Sequence, residues 1–427
     1  MHGDATDPGT DARTAGPANC PQSAAAVPTR WIWWAAWPVT AVFVLSNAAT
    51  PLYVLWQREM GFGPGTLTVV FACYIAGLLG SLLVSGVVSD RLGRKPVLLP
   101  ALGLALVACL VFATAGGVSA LIVARLCTGI AVGAVVSAGM AAVTDVAGPE
   151  RRPLAALLAS CAMVLGAGTG PLLAGVLSET LPAPTVTVFG VEAVLLVTAA
   201  AVVLRMPVPA PVRRSAGAGA GAGTWMRVPG VPRGAGRQLA LGVAVFAPGI
   251  TATSFVLSLG PSLLSGLLGT SSRIVSGALA FGMFLCATGA QFAVRRLRER
   301  VVLVAGAGAT ALGMPALIAA VHAGSVPGLV AAALLAGAGQ GMGQLGGLSL
   351  LNSTVPAHRL AEANAALNVG GYLPAALLPV SAGYLSGVVG LTAGTTAFGA
   401  VLAALAVAGG GLVVLERGRA AGGTAVP

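Results

Sequence analysis

The stretch Gly86-Val-Val-Ser-Asp90-Arg91-Leu-Gly93-Arg94-Lys95-Pro96 sets the reading of the whole chain. Four of its charged side chains, Asp90, Arg91, Arg94 and Lys95, crowd into six positions. Both flanks are apolar and free of charge, over about 66–89 and 97–116. Each flank is long enough to cross a bilayer core as a helix, which takes about 20 residues. A short charged loop between two such runs is a hairpin of membrane helices. Within it, Gly86 permits close helix contact. Asp90 suits a helix N-terminus, where negative charge is favoured. Arg94 is placed to pair with an acid at a neighbouring helix end, with Asp145 the candidate.

Outward from this hairpin the pattern repeats. Apolar runs of spanning length fall at 34–56, 66–89, 97–116, 120–143, 154–178, 186–205, 238–260, 273–294, 301–321, 327–351, 362–387 and 392–415. The expected fold is an all-α membrane protein of twelve transmembrane helices in two six-helix bundles. Composition agrees. The 427 residues are 56% hydrophobic and 8% charged, against about 25% charged in soluble domains, and mean hydropathy is +0.92. That excludes a soluble enzyme, a soluble binding module and a disordered chain. With 61 Gly and 5% aromatic residues, the helices must touch through small residues, as membrane helices do.

The net charge of +11 does not call for nucleic acid. Lys95 is the single Lys, and Arg58, Arg125 and Arg273 are the only basic residues outside one set of alternate loops and tails. The other nineteen Arg and Lys95, twenty in all, lie on one side. That side is expected to be cytoplasmic, because basic loops stay inside. The chain then divides into a disordered cytoplasmic tail (1–30), a first bundle (31–205), a flexible linker (206–237), a second bundle (238–415) and a cytoplasmic tail (416–427). The linker carries Pro, Arg and an alternating Ala-Gly run from Ala216 to Gly223, a composition that cannot build a core. Residues 1–30 carry Asp4, Asp7 and Asp11 and do not resemble a cleaved signal peptide.

The halves are related. A shift of 208 residues places Leu121, Gly129, Gly133, Gly139 and Arg151 on Leu329, Gly337, Gly341, Gly347 and Arg359. Two parallel repeats imply a substrate path between them near the midplane.

Three motifs resemble those of the major facilitator superfamily, in the twelve-span drug:proton antiporter branch, and all lie in the first half. The loop Gly86–Pro96 is similar to the family's signature loop. The resemblance implies a latch, made by Gly86, Asp90, Arg91, Gly93, Arg94 and Asp145, that holds the cytoplasmic side in the outward-open state. The fourth span reads Arg125-Leu-Cys-Thr-Gly129-Ile-Ala-Val-Gly133 and resembles the motif whose Arg is linked to proton coupling. A buried Arg in lipid is costly and marks function by default; an Arg about 9 Å into the span also reads as snorkelling to the outer headgroups. The fifth span carries Gly166-Ala-Gly168-Thr-Gly170-Pro171-Leu-Leu-Ala174-Gly175, which resembles the antiporter motif, with Gly166, Gly170, Pro171 and Gly175 at its key positions. Pro171 bends the helix, and the resemblance favours export over uptake. The second-half loop Arg295-Arg-Leu-Arg-Glu-Arg300 keeps only a topogenic role.

Glu192 is the one acid well inside a span, about 10 Å deep. It is a candidate proton carrier that communicates with Arg125, or a residue facing the headgroups. The first span holds no acid. It offers Asn47, Thr50 and Tyr53 at i, i+3, i+6 as cavity lining or interhelical glue. Gln340 and Gln344 lie one turn apart on the tenth span. Tyr74, Phe246, Asn368 and Tyr372 complete the candidate cavity residues. Six Cys form no CxxC or zinc spacing, and His322 and His358 have no metal-ligand partners in sequence, so neither metal nor cofactor is implied. The expected protein is a monomeric, multi-pass secondary transporter of the cell membrane. It exchanges protons for small amphiphilic molecules, with an uptake symporter for a sugar or organic acid as the alternative. A membrane enzyme lacks paired carboxylates or a nucleophile constellation here.

Overall fold

The structure is a computed structural model and describes residues 28–207, 229–266, 269, 272–356 and 359–422, with the backbone alone at Pro149 and 417–422. The first 27 residues with Arg13 and Cys20, most of the 206–237 connection with Arg213, Arg214, Arg227 and the Ala-Gly run, and His358 lie outside the described residues. So do the side chains of Arg417 and Arg419.

Among the described residues twelve helices are long and apolar enough to cross a membrane. In chain order they are α1 (Arg30–Met60), α2 (Pro64–Leu92), α3 (Lys95–Ala113), α4 (Val118–Ala147), α5 (Arg152–Thr180) and α6 (Pro184–Arg205). The second half has α7 (Gly236–Gly266), α8 (Arg273–Val294), α9 (Glu299–Ala323), α10 (Val326–Thr354), α11 (Leu360–Val389) and α12 (Leu391–Glu416). Most extend a few residues past the apolar runs, because a helix continues into the headgroup region where its last turns are solvated. Pro stands in the first turn of α2, α3, α5, α6 and α10, where its missing N–H is no loss. Gly93 ends α2 at φ 98°, a conformation that L side chains rarely adopt.

Two local departures from the α-helix matter for the site. Pro51 cannot donate a backbone hydrogen bond, and its ring crowds the carbonyl four residues back. α1 accordingly breaks into a 3-10 turn at Thr50–Leu52. α4 carries a π-helical turn at Val135–Gly139, a feature that often marks functional positions. The Ser137 hydroxyl donates to the carbonyls of Gly133 and Ala134, each at 3.1 Å, just before that turn.

The halves are built alike. In the first, α1 packs on α5 and α6, α2 on α4, and α3 on α4 and α6. In the second, α7 packs on α11 and α12, α8 on α10, and α9 on α10 and α12. Glycines set matching contacts. Gly129 and Gly133 lie against the carbonyls of Tyr74 and Leu78 on α2, while Gly337 and Gly341 lie against those of Met283 and Ala287 on α8. A side chain at any of these would separate the helices. Outward-facing Leu110, Val194 and Leu312 are each more than 60% exposed; such surfaces fit hydrocarbon, not water.

Candidate functional site

The halves meet along α5 with α8 and α2 with α11. Between them, near mid-height, lies a cavity of about 140 Å³. Its wall is aromatic and amide-rich: Phe43, Phe71, Tyr74, Phe284 and Tyr372, with Asn47, Gln291, Gln340 and Gln344. Ser46, Thr253, Ser254 and Thr288 add hydroxyls, and among the described residues no acidic or basic side chain lines it.

Five of the residues expected to line a cavity do so: Asn47, Tyr74, Gln340, Gln344 and Tyr372. Four do not. Thr50 and Tyr53 stand off the cavity lining: each three-residue step drifts about 60° around a helix of 3.6 residues per turn, and the Tyr53 hydroxyl meets Arg125 instead. Phe246 is fully buried behind Tyr372, edge-on at 6.3 Å, in the notch left by Gly371. Asn368 is half-buried elsewhere on α11. The lining from α7 and α8 carries no sequence signal beyond isolated polar residues on apolar helices.

Arg125 is fully buried, so it does not snorkel. Its Nε donates to the Tyr53 hydroxyl at 2.6 Å and its Nη1 to the Ser46 carbonyl at 2.7 Å. That carbonyl is one of those released at the end of the first α1 segment. The guanidinium carbon lies 5.1 Å from the ring centre of Tyr53, 5.7 Å from Phe71, 5.8 Å from Tyr74 and 5.9 Å from Phe112. A desolvated cation over aromatic faces is stabilised by their quadrupoles. Its Nη2 has no hydrogen-bond partner among the described residues. Arg125 therefore sits one layer behind the cavity wall, touching three of its lining residues, Ser46, Phe71 and Tyr74.

Glu192 is also buried, at 1% exposure, so it does not face the headgroups. It forms no ion pair with Arg125 among the described residues. An aromatic layer intervenes: Phe112 touches Arg125 on one side and stacks on Phe189, one turn before Glu192, at 4.7 Å on the other. Trp56 stacks on both rings.

At the Arg-rich end, Arg94 bridges Asp145 (2.8 Å) and Asp90 (2.7 Å) and donates to the Ser89 hydroxyl (3.0 Å). Burial works against its charge, and the bonds it donates to the Asp145 and Asp90 carboxylates outweigh this, holding the guanidinium above its ordinary pKa. All four groups belong to the first half. Gly86 and Arg91 lie on α2 and Gly93 at its end. Lys95 donates to the Leu204 carbonyl at 2.9 Å, joining α3 to α6.

The opposite end is where the halves touch most closely. Gly175 lies against the Arg273 carbonyl and Gly277 against that of Pro171, joining α5 to α8. Gly383 lies against the Pro64 carbonyl and Thr68, and Gly65 against the Tyr384 ring, joining α11 to α2. Gly166 and Gly170 instead join α5 to α1, against the carbonyls of Thr40 and Val44. The Glu179 carboxylate accepts from the backbone N–H of Arg273 and Ile274 and from the Ser272 hydroxyl, capping α8 across the interface. The Ser262 hydroxyl donates to Gln57 Oε1 at 2.9 Å.

These contacts reveal a repeat that the sequence reading missed. Pro171-Leu-Leu-Ala174-Gly175-Val-Leu177-Ser178 on α5 returns 208 residues later as Pro379-Val-Ser-Ala382-Gly383-Tyr-Leu385-Ser386 on α11. The specific motifs are thus not confined to the first half. Its signal in the sequence is the same offset of 208 residues that relates α4 to α10.

The Major Facilitator Superfamily profile matches residues 32–297. The chain belongs to the major facilitator superfamily. Across its superfamily relatives, a 3-(3-hydroxy-phenyl)propionate transporter of Escherichia coli (strain K12) is 31% identical over 133 residues, 31% of each chain. Multidrug resistance protein MdtL of Klebsiella pneumoniae subsp. pneumoniae is 30% identical over 95 residues, 22% of this chain and 24% of the relative. The chain matches less than a third of the length of these relatives. In structure it is similar to the nucleoside transporter NupG, with a TM-score of 0.70 at 13% identity over 90% of this chain and 99% of that one. A bacterial homologue of the human lysosomal transporter Spinster gives 0.68 at 14% identity, covering 91% and 98%. These likenesses establish the fold, and the family match with the twelve candidate spans among the described residues makes the chain a multi-pass membrane protein of this superfamily.

Proposed function

We propose that the protein exports small amphiphilic molecules across the cell membrane in exchange for protons, by alternating access, as a monomer with both termini in the cytoplasm. The observation that carries this reading is a central cavity between two like halves, sealed at the Arg-poor end, with a buried cation one layer behind its wall. In this reading the structure is the state open toward the cytoplasm. The rocking that opens the far end parts the α2–α11 seal and loosens the α5–α8 seal, and the Arg94 cluster steadies the cytoplasmic ends of α2, α3 and α4. Glu192 takes up the proton, and Arg125, across the Phe112 layer from it, relays the change in charge to the cavity through Ser46, Phe71 and Tyr74. The basic loops support the orientation. The antiporter-like motif of α5 and the likeness to a multidrug resistance protein support export.

The test is accumulation of a fluorescent amphiphile in an efflux-deficient host. Expected is low accumulation with the wild type, restored to the empty-vector level by a protonophore, by Asp90→Asn and by Arg125→Ala. Wild-type accumulation equal to empty vector, with the protein present in the membrane, rejects this reading. Glu192→Gln is expected to abolish proton coupling while Glu192→Asp keeps it; full proton-driven transport by the Gln variant rejects the carrier role.

A further inference from the structure

We infer that the central cavity selects planar aromatic molecules bearing an acidic group and rejects organic cations of the same shape. This rests on the reading of the cavity as the transport site. Three observations combine. First, the wall offers faces for a flat ring, with Phe71 and Tyr74 on one half and Phe284 and Tyr372 on the other. Second, the polar groups between them are neutral amides and hydroxyls, which donate to a carboxylate without competing with it for charge. Third, the nearest formal charge behind that wall is positive. Arg125 is bound to the backbone of one lining residue, Ser46, and lies against the rings of two others. One of its nitrogens is unsatisfied.

The other charges do not offset this. Glu192 is buried on α6, one turn from the Phe189 ring that stacks on Phe112, and does not line the cavity. Glu179 is held at the sealed end by the α8 backbone. On α8, Arg295 follows the lining residue Gln291 by one turn, on the same helix face, and is exposed toward the Arg-rich end. An approaching anion therefore meets the Arg-rich end of α8, where Arg295 lies over the Phe292 ring, and then the positive potential of Arg125 behind the wall. In a desolvated site such potentials act strongly. A cation loses its hydration there and gains ring faces only, two of which, Phe71 and Tyr74, already face Arg125, with no carboxylate among the lining residues.

The experiment uses the full chain in lipid nanodiscs and three ligands that share one ring and spacer: phenylpropionate, phenylpropionamide and phenylpropylammonium. Binding is measured by calorimetry at neutral pH. The expected order is acid, then amide, then ammonium, with the acid bound roughly ten-fold or more tighter than the ammonium. Arg125→Gln is expected to bring acid and amide to within about two-fold, and Arg125→Lys to keep the acid preferred. Gln344→Trp, which fills the cavity, is expected to abolish binding of all three. An ammonium bound as tightly as the acid in the wild type, or no binding of the acid, overturns the inference without reference to any variant that misfolds. Acid binding unaffected by Gln344→Trp instead shows that the cavity is not the site, which is a failure of the underlying reading.

Discussion

Arg125 is held by so few partners that each has a measurable share. Tyr53→Phe leaves the Nε without its acceptor in a dry site, a loss of roughly 1–3 kcal/mol. The thermal unfolding midpoint of the detergent-solubilised protein should fall accordingly; Tyr384→Phe, on an exposed ring, should leave it unchanged. An unshifted midpoint for Tyr53→Phe means that the bond contributes nothing. Glu179 makes a second case. Its carboxylate faces the N-terminus of α8, where an anion contributes about 0.3–1 kcal/mol. Glu179→Gln should therefore shift the population open at the Arg-poor end by about two- to five-fold. Spin-label distances between the Arg-poor ends of α5 and α8 report it, and an unaltered distribution excludes the capping role. At this scale the sequence was readable where a partner had to be charged, as with Asp145 for Arg94. It misled where arc was neglected: the i, i+3, i+6 spacing of Asn47, Thr50 and Tyr53 spreads over about 120° of a helix, and only Asn47 reaches the cavity.

Pairs of elements show what glycine does in this chain. Gly175 and Gly383 occupy equal places in the two repeats and sit against backbone carbonyls of the opposite half. A Leu at either position cannot be accommodated with the far end closed, and overpacking of this kind costs about 1–3 kcal/mol. Gly175→Leu and Gly383→Leu should each lower transport and lengthen the spin-label distance at their own seal. Gly190→Leu, with open space around its Cα, should do neither. Equal effects from all three would mean that the seals are not specific. The existence of every span was legible from hydropathy, because lipid tolerates only helices with all backbone groups paired internally. The faces those spans present were not. Residues such as Thr253, Thr288 and Gln291 are single polar positions on uniformly apolar helices, and only the tertiary arrangement turns them inward.

For the whole molecule, the Arg distribution makes a topology prediction. Fluorescent protein fused at the C-terminus should fluoresce in a bacterial host, and alkaline phosphatase fused after Met60 should be active. The reverse pattern overturns the orientation. The twofold likeness of the halves was legible in part, through the glycines of α4 and α10, because close helix contacts constrain small residues more than lipid-facing ones. One departure from that likeness has a mechanical consequence. The α5–α8 seal has a charged cap in Glu179, while the position 208 residues later is Gly387, which carries no such group. The far end is thus fastened unevenly. It is expected to swing like a door, with its hinge along α5 and α8 and its free edge along α2 and α11. A cross-link between α2 and α11 at that end should then stop transport, whereas one between α5 and α8 should only slow it.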